Sequence, residues 1–205
     1  MIPRGRFITF EGIDGAGKST QIEVVANTLR GRGLPVAITR EPGGTPLGEA
    51  LRDVILQQPM TVPAETLLMF AARAEHLERM IRPALDGGTW VLCDRFTDAT
   101  YAYQSGGRGM PAGRIAELER WVHGDLQPDL TLLFDVPPEV AAQRVARVRS
   151  ADRFEAEQVD FFARVRRAYL DRAGGEPRRF IVIDGTQPAD VIGTRLTELM
   201  QRWNG

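Results

Sequence analysis

A glycine-rich octapeptide near the start of the chain constrains its fold more than any other segment. Residues 12–19 read GIDGAGKS and match the pattern G-x-x-x-x-G-K-[ST] at every fixed position. The preceding residues 6–11 alternate and are rich in β-formers, whereas residues 18–30 space apolar side chains at helical intervals. Because a loop of this pattern joins a strand to a helix, the segment predicts the first strand–loop–helix unit of an α/β domain.

The chemistry of this loop indicates that it binds phosphate. Lys18 is the only lysine among 26 basic side chains, and all the others are arginines. A lysine ammonium is a compact point charge that fits between phosphate groups, whereas arginine is a planar fork. The backbone amides of a glycine loop at a helix N-terminus also favour an anion. The alternative interpretation is an ordinary glycine turn before a helix, with no ligand. The residues predicted to bind a nucleoside triphosphate are Gly12, Ile13, Asp14, Gly15, Ala16, Gly17, Lys18, Ser19 and Thr20.

Composition limits the remaining possibilities. A chain of 205 residues, 43% of them hydrophobic, suits one domain over residues 1–205 with a real core. A net charge of −1 argues against a general nucleic-acid surface. Cys93 is the only cysteine, which excludes an internal disulfide and fits a reducing cytoplasm. The sequence contains no signal-peptide pattern and no apolar run of membrane-spanning length, so we expect a cytoplasmic protein with no membrane partner.

Strand-like and helical segments alternate along the chain. Strands are predicted at residues 6–11, 35–39, 89–93, 130–135 and 179–184. Helices are predicted near residues 18–31, 46–57, 63–85, 111–124, 137–148, 156–173 and 188–203. This alternation predicts an α/β fold with a five-stranded parallel sheet covered by helices on both faces. Ligands bind beyond the carboxyl ends of such strands, where residues 12–19, 40–45, 94–95 and 135 lie. The charged segment 147–157 joins two helices and is predicted to form a short lid.

Several motifs, taken in order along the chain, resemble those of the bacterial thymidylate kinases. They are residues 10–20 (FEGIDGAGKST), 39–45 (TREPGGT), 70–76 (FAARAEH), 94–97 (DRFT) and 102–109 (AYQSGGRG). The resemblance spans about residues 6–188 and implies a three-layer P-loop kinase fold. It also implies that ATP and Mg²⁺ are used to phosphorylate dTMP to dTDP, for the dTTP needed in DNA replication. The family forms homodimers, for which the helix at 63–85 or 111–124 would supply the interface.

Residues after the second and third strands are implicated in binding phosphate and metal. Asp94 ends an apolar strand, where a carboxylate would orient Mg²⁺ together with the Ser19 hydroxyl. In the family, the arginines at the positions of Arg40 and Arg95 contact the acceptor phosphate. The alternatives are a salt bridge at the strand end for Asp94 and Arg95, and a solvated side chain beside a Pro-Gly turn for Arg40.

Four residues are implied to bind the base. Phe70 and Arg73 are one helical step apart and share a helix face. The family stacks thymine on the phenylalanine and directs the arginine at a base carbonyl. The alternative is that Phe70 fills the core, as aromatic residues of amphipathic helices usually do. Thr100 and Gln104, also one helical step apart, are candidates for the remaining polar edge of the base.

Two further residues are implied to face the sugar. In the family, a tyrosine at the position of Tyr103 disfavours ribose, and an acidic loop residue, here Asp14, meets the 3′-hydroxyl. A carboxylate beside a triphosphate would be repelled without a partner or a metal, which independently favours a functional Asp14. Glu11, at the strand end, is expected to be structural.

The lid is expected to supply the last catalytic candidates. Residues 13–16 of the loop contain no arginine, which resembles the family branch whose catalytic arginine comes from the lid. Arg149 and Arg153 are the candidates, with Arg147 behind them, because an arginine that reaches the transferring phosphates neutralises transition-state charge. The alternative is a solvated helix end in which acidic residues of the same segment pair with these arginines.

Two other functions are compatible with the loop at residues 12–19. A P-loop kinase with a different acceptor would share most of these motifs. A GTPase-type switch commonly recognises guanine with an Asn-Lys-x-Asp motif, and this chain has no second lysine with which to build one.

Overall fold

The computed structural model describes residues 3–146 and 159–203. The segment predicted to form a lid, residues 147–157, lies outside the described residues, together with Arg147, Arg149 and Arg153. In the two ranges that are described, no helix has both the length and the apolar character needed to cross a membrane.

The predicted five-stranded parallel sheet is confirmed. Its strands are β1 (Phe7–Glu11), β2 (Val36–Arg40), β3 (Trp90–Asp94), β4 (Leu130–Asp135) and β5 (Phe180–Asp184). They lie in the order β2-β3-β1-β4-β5, and every neighbouring pair is parallel. Because the chain leaves the central strand β1 first to one side and later to the other, the loop after β1 lies at the switch point where such sheets bind ligands.

Helices cover both faces of the sheet. They are α1 (Lys18–Gly31), α2 (Pro46–Gln57), α3 (Val62–His76), α4 (Arg82–Asp86), α5 (Thr97–Thr100), α6 (Ala112–His123), α7 (Pro138–Ala146), α8 (Val159–Gly175) and α9 (Ala189–Arg202). Successive residues of β1 enter different cores: Ile8 and Phe10 pack with side chains of α1 and α9, whereas Phe7 packs with Leu77 and Leu85. This alternation is what a strand buried on both faces requires.

Two helical segments differ from the prediction. The helix predicted at residues 63–85 runs from α3 through a π-helical segment, Leu77–Ile81, into α4. The sequence pattern does not predict the helix over residues 97–107, which consists of α5 and the π-helical segment Tyr101–Gly107. The threonines, tyrosines and glycines of this segment are weak helix formers, so packing against α8 stabilises the helix. π-Helical turns occur frequently at functional sites.

Candidate active site

The loop between β1 and α1 has a backbone conformation that glycine adopts readily. Gly12 and Gly17 have φ angles of 132° and 91°. A Cβ atom on Gly12 would lie 2.4 Å from the carbonyl oxygen of Phe134, so a larger residue does not fit. Gly17 caps the N-terminus of α1, and the space where its side chain would be is open. An open space at a helix N-terminus bordered by glycine backbone is the geometry of an anion site.

Lys18 lies beside this space. Its Nζ donates to the carbonyl oxygens of Gly12 and Ile13, at 3.2 and 3.4 Å, and lies 3.9 Å from Oδ1 of Asp94. Burial, followed by the positive charge of Arg95, lowers the pKa of Lys18. The ammonium is therefore held by neutral carbonyl groups and one carboxylate, which leaves positive charge for an incoming anion.

Lys18 borders a cleft of about 520 Å³, a volume typical of ligand sites. Its other lining residues are Asp14, Gly15, Gly17, Ser19, Thr20, Arg40, Glu41, Arg52, Asp94, Arg95, Arg144 and Val145. Of the predicted triphosphate-binding set, Gly12, Ile13 and Ala16 lie buried at the base of the loop. The cleft thus combines a glycine loop with five cationic side chains, which suits a polyphosphate.

The two predicted metal ligands, Ser19 and Asp94, line this cleft together. Oδ1 of Asp94 is buried and has no hydrogen-bond partner among the described residues, apart from the 3.9 Å approach of Lys18. Within those residues no cluster of three or more His, Cys, Asp or Glu side chains forms a metal cage. Mg²⁺ is ordinarily held by one or two carboxylates, waters and substrate phosphates. A hydroxyl and an unsatisfied carboxylate oxygen beside the phosphate cleft fit that ion.

A smaller cavity of about 90 Å³ adjoins the cleft. It is lined by Asp14, Glu41, Pro42, Arg52, Leu56, Met69, Arg73, Arg95, Phe96, Ala99, Thr100, Tyr103 and Gln104. Asp14, Glu41, Arg52 and Arg95 line both spaces, so a ligand in one lies next to a ligand in the other. The mixture of apolar walls with a few polar groups is typical of a site for a small organic molecule.

Arg95 lies at the junction of the two spaces. In the described part of the chain it is the only non-glycine residue with a positive φ, 69°. Its Nη2 donates to Oδ1 of Asp14 and to the Tyr103 hydroxyl, both at 3.0 Å. Burial alone would raise the pKa of Asp14, but the charges of Arg95 and Lys18 lower it to about 2. Asp14 is therefore an ionised carboxylate with cationic partners, which resolves the repulsion expected from its place in the loop.

A buried polar network forms one wall of the smaller cavity. Arg73 donates through Nε to Glu41 and through Nη2 to Oγ1 of Thr100, the latter at 3.2 Å. Nδ1 of His76 lies 2.9 Å from the other oxygen of Glu41, and its Nε2 lies 2.7 Å from Oγ1 of Thr39. The network fixes the orientation of the Arg73 guanidinium.

The other predicted base-binding residues are divided between the cavity and the core. Thr100 and Gln104 line the cavity, and Nε2 of Gln104 donates to Oε1 of Glu65 at 2.8 Å. Phe70 is buried and is not among the described residues that line the cavity. The guanidinium of Arg73 lies 4.8 Å from the centre of the Phe70 ring, so Phe70 stands behind Arg73.

Arg40 and Asp135, both at strand ends, form ion pairs. Nη2 of Arg40 donates to Oε2 of Glu49 at 2.8 Å, and half of the Arg40 side chain is exposed at the edge of the larger cleft. Asp135 accepts two hydrogen bonds from Arg166, at 2.6 and 2.9 Å. Arg40 thus lies within the cleft lining but has an acidic partner on α2.

Two arginines of the site were absent from the sequence predictions. Arg52 of α2 lines both spaces and donates to the Pro42 carbonyl at 3.0 Å. Burial, and then the charge of Arg40, lowers its pKa. Arg144 of α7 donates to the Gly185 carbonyl at 2.9 Å and borders the cleft. Neither residue follows a strand directly, so the strand-end rule does not find them. No local spacing in the sequence indicates either residue, because each reaches the site through the packing of its helix.

The fold and the paired spaces define a class of protein. A glycine loop after the central strand of a sheet in this order, next to a second cavity rimmed by arginines, is the arrangement of a P-loop kinase acting on a small phosphorylated molecule. The family model described as "Thymidylate kinase" matches residues 10–195. The chain belongs to the thymidylate kinase family.

Proteins with the same description resemble the chain along almost its whole length. A thymidylate kinase of Methylobacillus flagellatus is 56% identical over 200 residues, covering 98% of each chain. One from Bordetella pertussis is 58% identical over 196 residues, which covers 96% of this chain and 94% of the relative. The crystal structure of a thymidylate kinase from Ehrlichia chaffeensis superposes with a TM-score of 0.78 at 34% identity, covering 97% of this chain and all of the other.

Proposed function

We propose that the protein transfers the γ-phosphoryl group of ATP to dTMP, with Mg²⁺, to give ADP and dTDP. Membership of the thymidylate kinase family supports this reaction. The observation that carries it is the pair of adjoining spaces that share Asp14, Glu41, Arg52 and Arg95. A donor and an acceptor bound in the two spaces meet at Arg95, as an in-line transfer requires.

In the larger cleft, the loop and Lys18 hold the donor. The amides at Gly15, Gly17 and the N-terminus of α1 contact the phosphates, and the Lys18 ammonium neutralises their negative charge. Ser19 and Asp94 hold Mg²⁺, which when bound neutralises charge on the transferring phosphates. Arg144 links the loop to the turn after β5, because its Nη1 donates to the carbonyls of both Gly15 and Gly185.

In the smaller cavity, arginines hold the acceptor. Arg52 and Arg95 bind the monophosphate of dTMP, and Arg40 joins them after leaving Glu49. An oxygen of this monophosphate attacks the γ-phosphorus of ATP as the bond to the β-phosphate oxygen breaks, and ADP leaves. The attacking oxygen is already anionic, so no general base is needed.

The base and the sugar occupy the remainder of that cavity. Arg73 donates to a carbonyl of thymine, and Thr100 and Gln104 line its polar edge. Phe70 supports this site from behind Arg73. Direct stacking of thymine on the Phe70 ring, the role that the family resemblance implies, requires the Arg73 guanidinium to move aside. Base stacking on an aromatic ring stabilises binding by about 1–3 kcal/mol. Tyr103 crowds the 2′ position, and Asp14 accepts a hydrogen bond from the 3′-hydroxyl.

Arg149 and Arg153 remain the proposed transition-state arginines from the lid at residues 147–157, with Arg147 behind them. We further propose that residues 1–205 act as one kinase domain in the cytoplasm, which the single buried Cys93 supports.

We also propose that the protein is a homodimer. α3 packs against α6, and both helices expose large apolar side chains, Leu67 at 56% and Trp121 at 81%. Large exposed apolar side chains on two neighbouring helices favour contact with a second copy. Sedimentation velocity on the parent and on Trp121→Arg tests it: we expect a dimer that the substitution dissociates. A monomeric parent at micromolar concentration contradicts the proposal.

Steady-state assays with ATP and a panel of acceptors test the reaction. We expect turnover of dTMP to exceed that of dUMP, dCMP, dGMP and AMP. Comparable turnover of AMP would favour the alternative, a P-loop kinase with another acceptor. Failure to bind either ATP or dTMP in a titration would end the proposal.

A further inference from the structure

Glu11 carries a carboxyl group that the reaction above does not use. It lies at the end of β1 and is fully buried, and burial, followed by the charge of Asp98, raises its pKa. Its two oxygens accept hydrogen bonds from two different parts of the molecule. Oε1 accepts from the backbone N–H of Phe96 at 2.7 Å, and Oε2 accepts from the hydroxyl of Tyr169 at 2.8 Å. Both partners are connected to Arg95: Phe96 follows it in the chain, and the Tyr169 hydroxyl is hydrogen-bonded to its side chain.

We propose that Glu11 and Tyr169 are positioning residues that hold Arg95 by its backbone and its side chain, and so set its affinity for the acceptor monophosphate. This inference rests on the proposed function. It replaces the expectation that Glu11 is merely structural with a specific role in the site.

The backbone contact acts next to a strained residue. Arg95 has a φ of 69°, which a residue with a Cβ atom seldom adopts. The following residue, Phe96, donates its N–H to Glu11, while the N–H of Arg95 itself donates to the Phe10 carbonyl at 3.0 Å. The peptide groups on both sides of the strained position are therefore anchored to the end of β1.

The side-chain contact acts through the Tyr169 hydroxyl. This hydroxyl donates its proton to Glu11, so a lone pair is left to accept from Nη1 of Arg95 at 3.0 Å. Nη2 of Arg95 is bonded to Asp14 and to Tyr103 on the other side. Fixing both nitrogens defines the plane of the guanidinium fork, and a fork bonds a phosphate well only in the correct plane.

Tyr169 lies outside both ligand spaces, so its effect on a ligand can be attributed to the positioning of Arg95 and not to direct contact. Tyr169 belongs to α8, is 1% exposed, and is not among the described residues that line either space. Among the described residues its hydroxyl bonds to Arg95 and Glu11, and of these two Arg95 lines the ligand spaces, so the hydroxyl acts on a bound monophosphate through Arg95. Removing it leaves Arg95 its contacts with Asp14 and Tyr103 but frees the guanidinium to rotate.

Comparing dTMP with thymidine tests this role, because the two ligands differ only in the monophosphate. For Tyr169→Phe we expect the affinity for dTMP to fall about tenfold or more, as the loss of a hydrogen bond to a charged group predicts. We expect the inhibition constant of thymidine and the KM for ATP to stay within about twofold. The matched control is Tyr101→Phe, which removes a hydroxyl bonded to Glu119 at 2.7 Å outside the site. It should leave all three constants unchanged.

Glu11→Met is the second variant, and it decides the matter alone if Tyr169→Phe does not fold. It keeps the length of the side chain but removes both oxygens that contact Phe96 and Tyr169, so we expect the same selective loss for dTMP. Equal losses for dTMP and thymidine, or an unchanged dTMP affinity in a folded variant, overturn the inference. A parent protein that does not bind dTMP at all overturns the proposed function instead, so the two failures are distinguishable.

Discussion

Nε of Arg73 donates a 2.7 Å hydrogen bond to Oε2 of Glu41, and neither side chain exposes more than 4% of its surface. The pair joins α3 to the turn after β2, across the wall of the smaller cavity. Nη1 of Arg73 is buried and lacks a partner in the described part of the chain. A buried N–H without an acceptor is costly, so a ligand carbonyl in the cavity would offset that cost. The pair therefore fixes, at the wall of the cavity, the guanidinium that carries this unpartnered donor.

Removing the negative charge of this pair should destabilise the fold. Burial alone would raise the pKa of Glu41, but Arg73 and His76 lower it, so the carboxylate is ionised at neutral pH. Glu41→Gln leaves the Arg73 charge buried without a counter-ion, and we expect the free energy of unfolding to fall by about 3 kcal/mol or more. Urea denaturation near neutral pH measures the loss.

The control for Glu41→Gln is Arg167→Gln on α8. Arg167 pairs with Asp171 at 2.9 Å on the exposed surface, where an ion pair contributes little. We expect its stability to equal that of the parent. If both substitutions cost the same, the buried pair has no special role.

Lys18 should be essential for turnover and dispensable for folding. Among the described residues its Nζ bonds to the loop carbonyls of Gly12 and Ile13, with Asp94 at the distance of a weak ion pair. Lys18→Ala should lower kcat/KM at least about 100-fold, the usual cost of removing a group that stabilises transition-state charge. Circular dichroism should show an intact fold, and near-parental turnover would contradict the phosphate role.

Lys18→Arg is the sharper comparison, because it preserves the charge. A planar fork is too broad for the space between the loop and Asp94, so we expect it to fail almost as completely as Lys18→Ala. Recovery of activity in Lys18→Arg would mean that charge alone is required at this position.

The sequence predicted the sheet, because each strand is a short apolar run between helices of regular spacing. It also predicted which strand ends bear polar groups: Asp94 and Arg95 do lie beside Lys18. The helix at residues 97–107 was missed because its conformation depends on α8, which is distant in sequence. Arg52 was missed for a related reason, since only the packing of α2 brings it to the cavity.

The Glu41–His76–Thr39 network illustrates the same limit. Thr39 and Glu41 lie in the motif at residues 39–45 and His76 lies in the motif at residues 70–76, but neither motif indicates a contact with the other. Their contacts join positions 35 and 37 residues apart, and no local pattern encodes such a pairing. The family resemblance identified Arg73 as a base-binding residue, but not the groups that orient it.

The stability contribution of Asp14 should depend on pH. Its pKa is about 2 in the folded protein, below the ordinary 3.8. A lowered carboxyl pKa stabilises the fold above the unfolded value, and this contribution is lost as the pH falls through the folded value. Asp14→Asn should lower the free energy of unfolding by about 1–2 kcal/mol near pH 6, allowing for solvent screening. The difference from the parent should shrink between about pH 4 and pH 2.

A carbon-13 titration of the Asp14 carboxyl group measures this pKa directly. An unshifted value near 3.8 would show that Arg95 and Lys18 do not stabilise the charge. The matched control is Asp190→Asn at the start of α9, outside both ligand spaces. It makes the same change of residue type without removing a partner of Arg95 and Lys18, so any change in stability that it causes does not arise in the site.

Tyr103 should exclude ribonucleotides by its bulk and not by its hydroxyl. Its ring lies under the guanidinium of Arg95 and is 6% exposed, and its hydroxyl donates to Oδ2 of Asp14 at 3.3 Å. Tyr103→Ala opens space beside the sugar, so the preference for dTMP over its ribose counterpart should fall about tenfold or more, as differences in pocket volume allow. Tyr103→Phe retains the ring and should keep that preference while losing some turnover, because Arg95 and Asp14 lose a partner. Steady-state kinetics with both nucleotides measure the ratio. If both variants still reject ribose equally, the steric account of sugar selection is wrong.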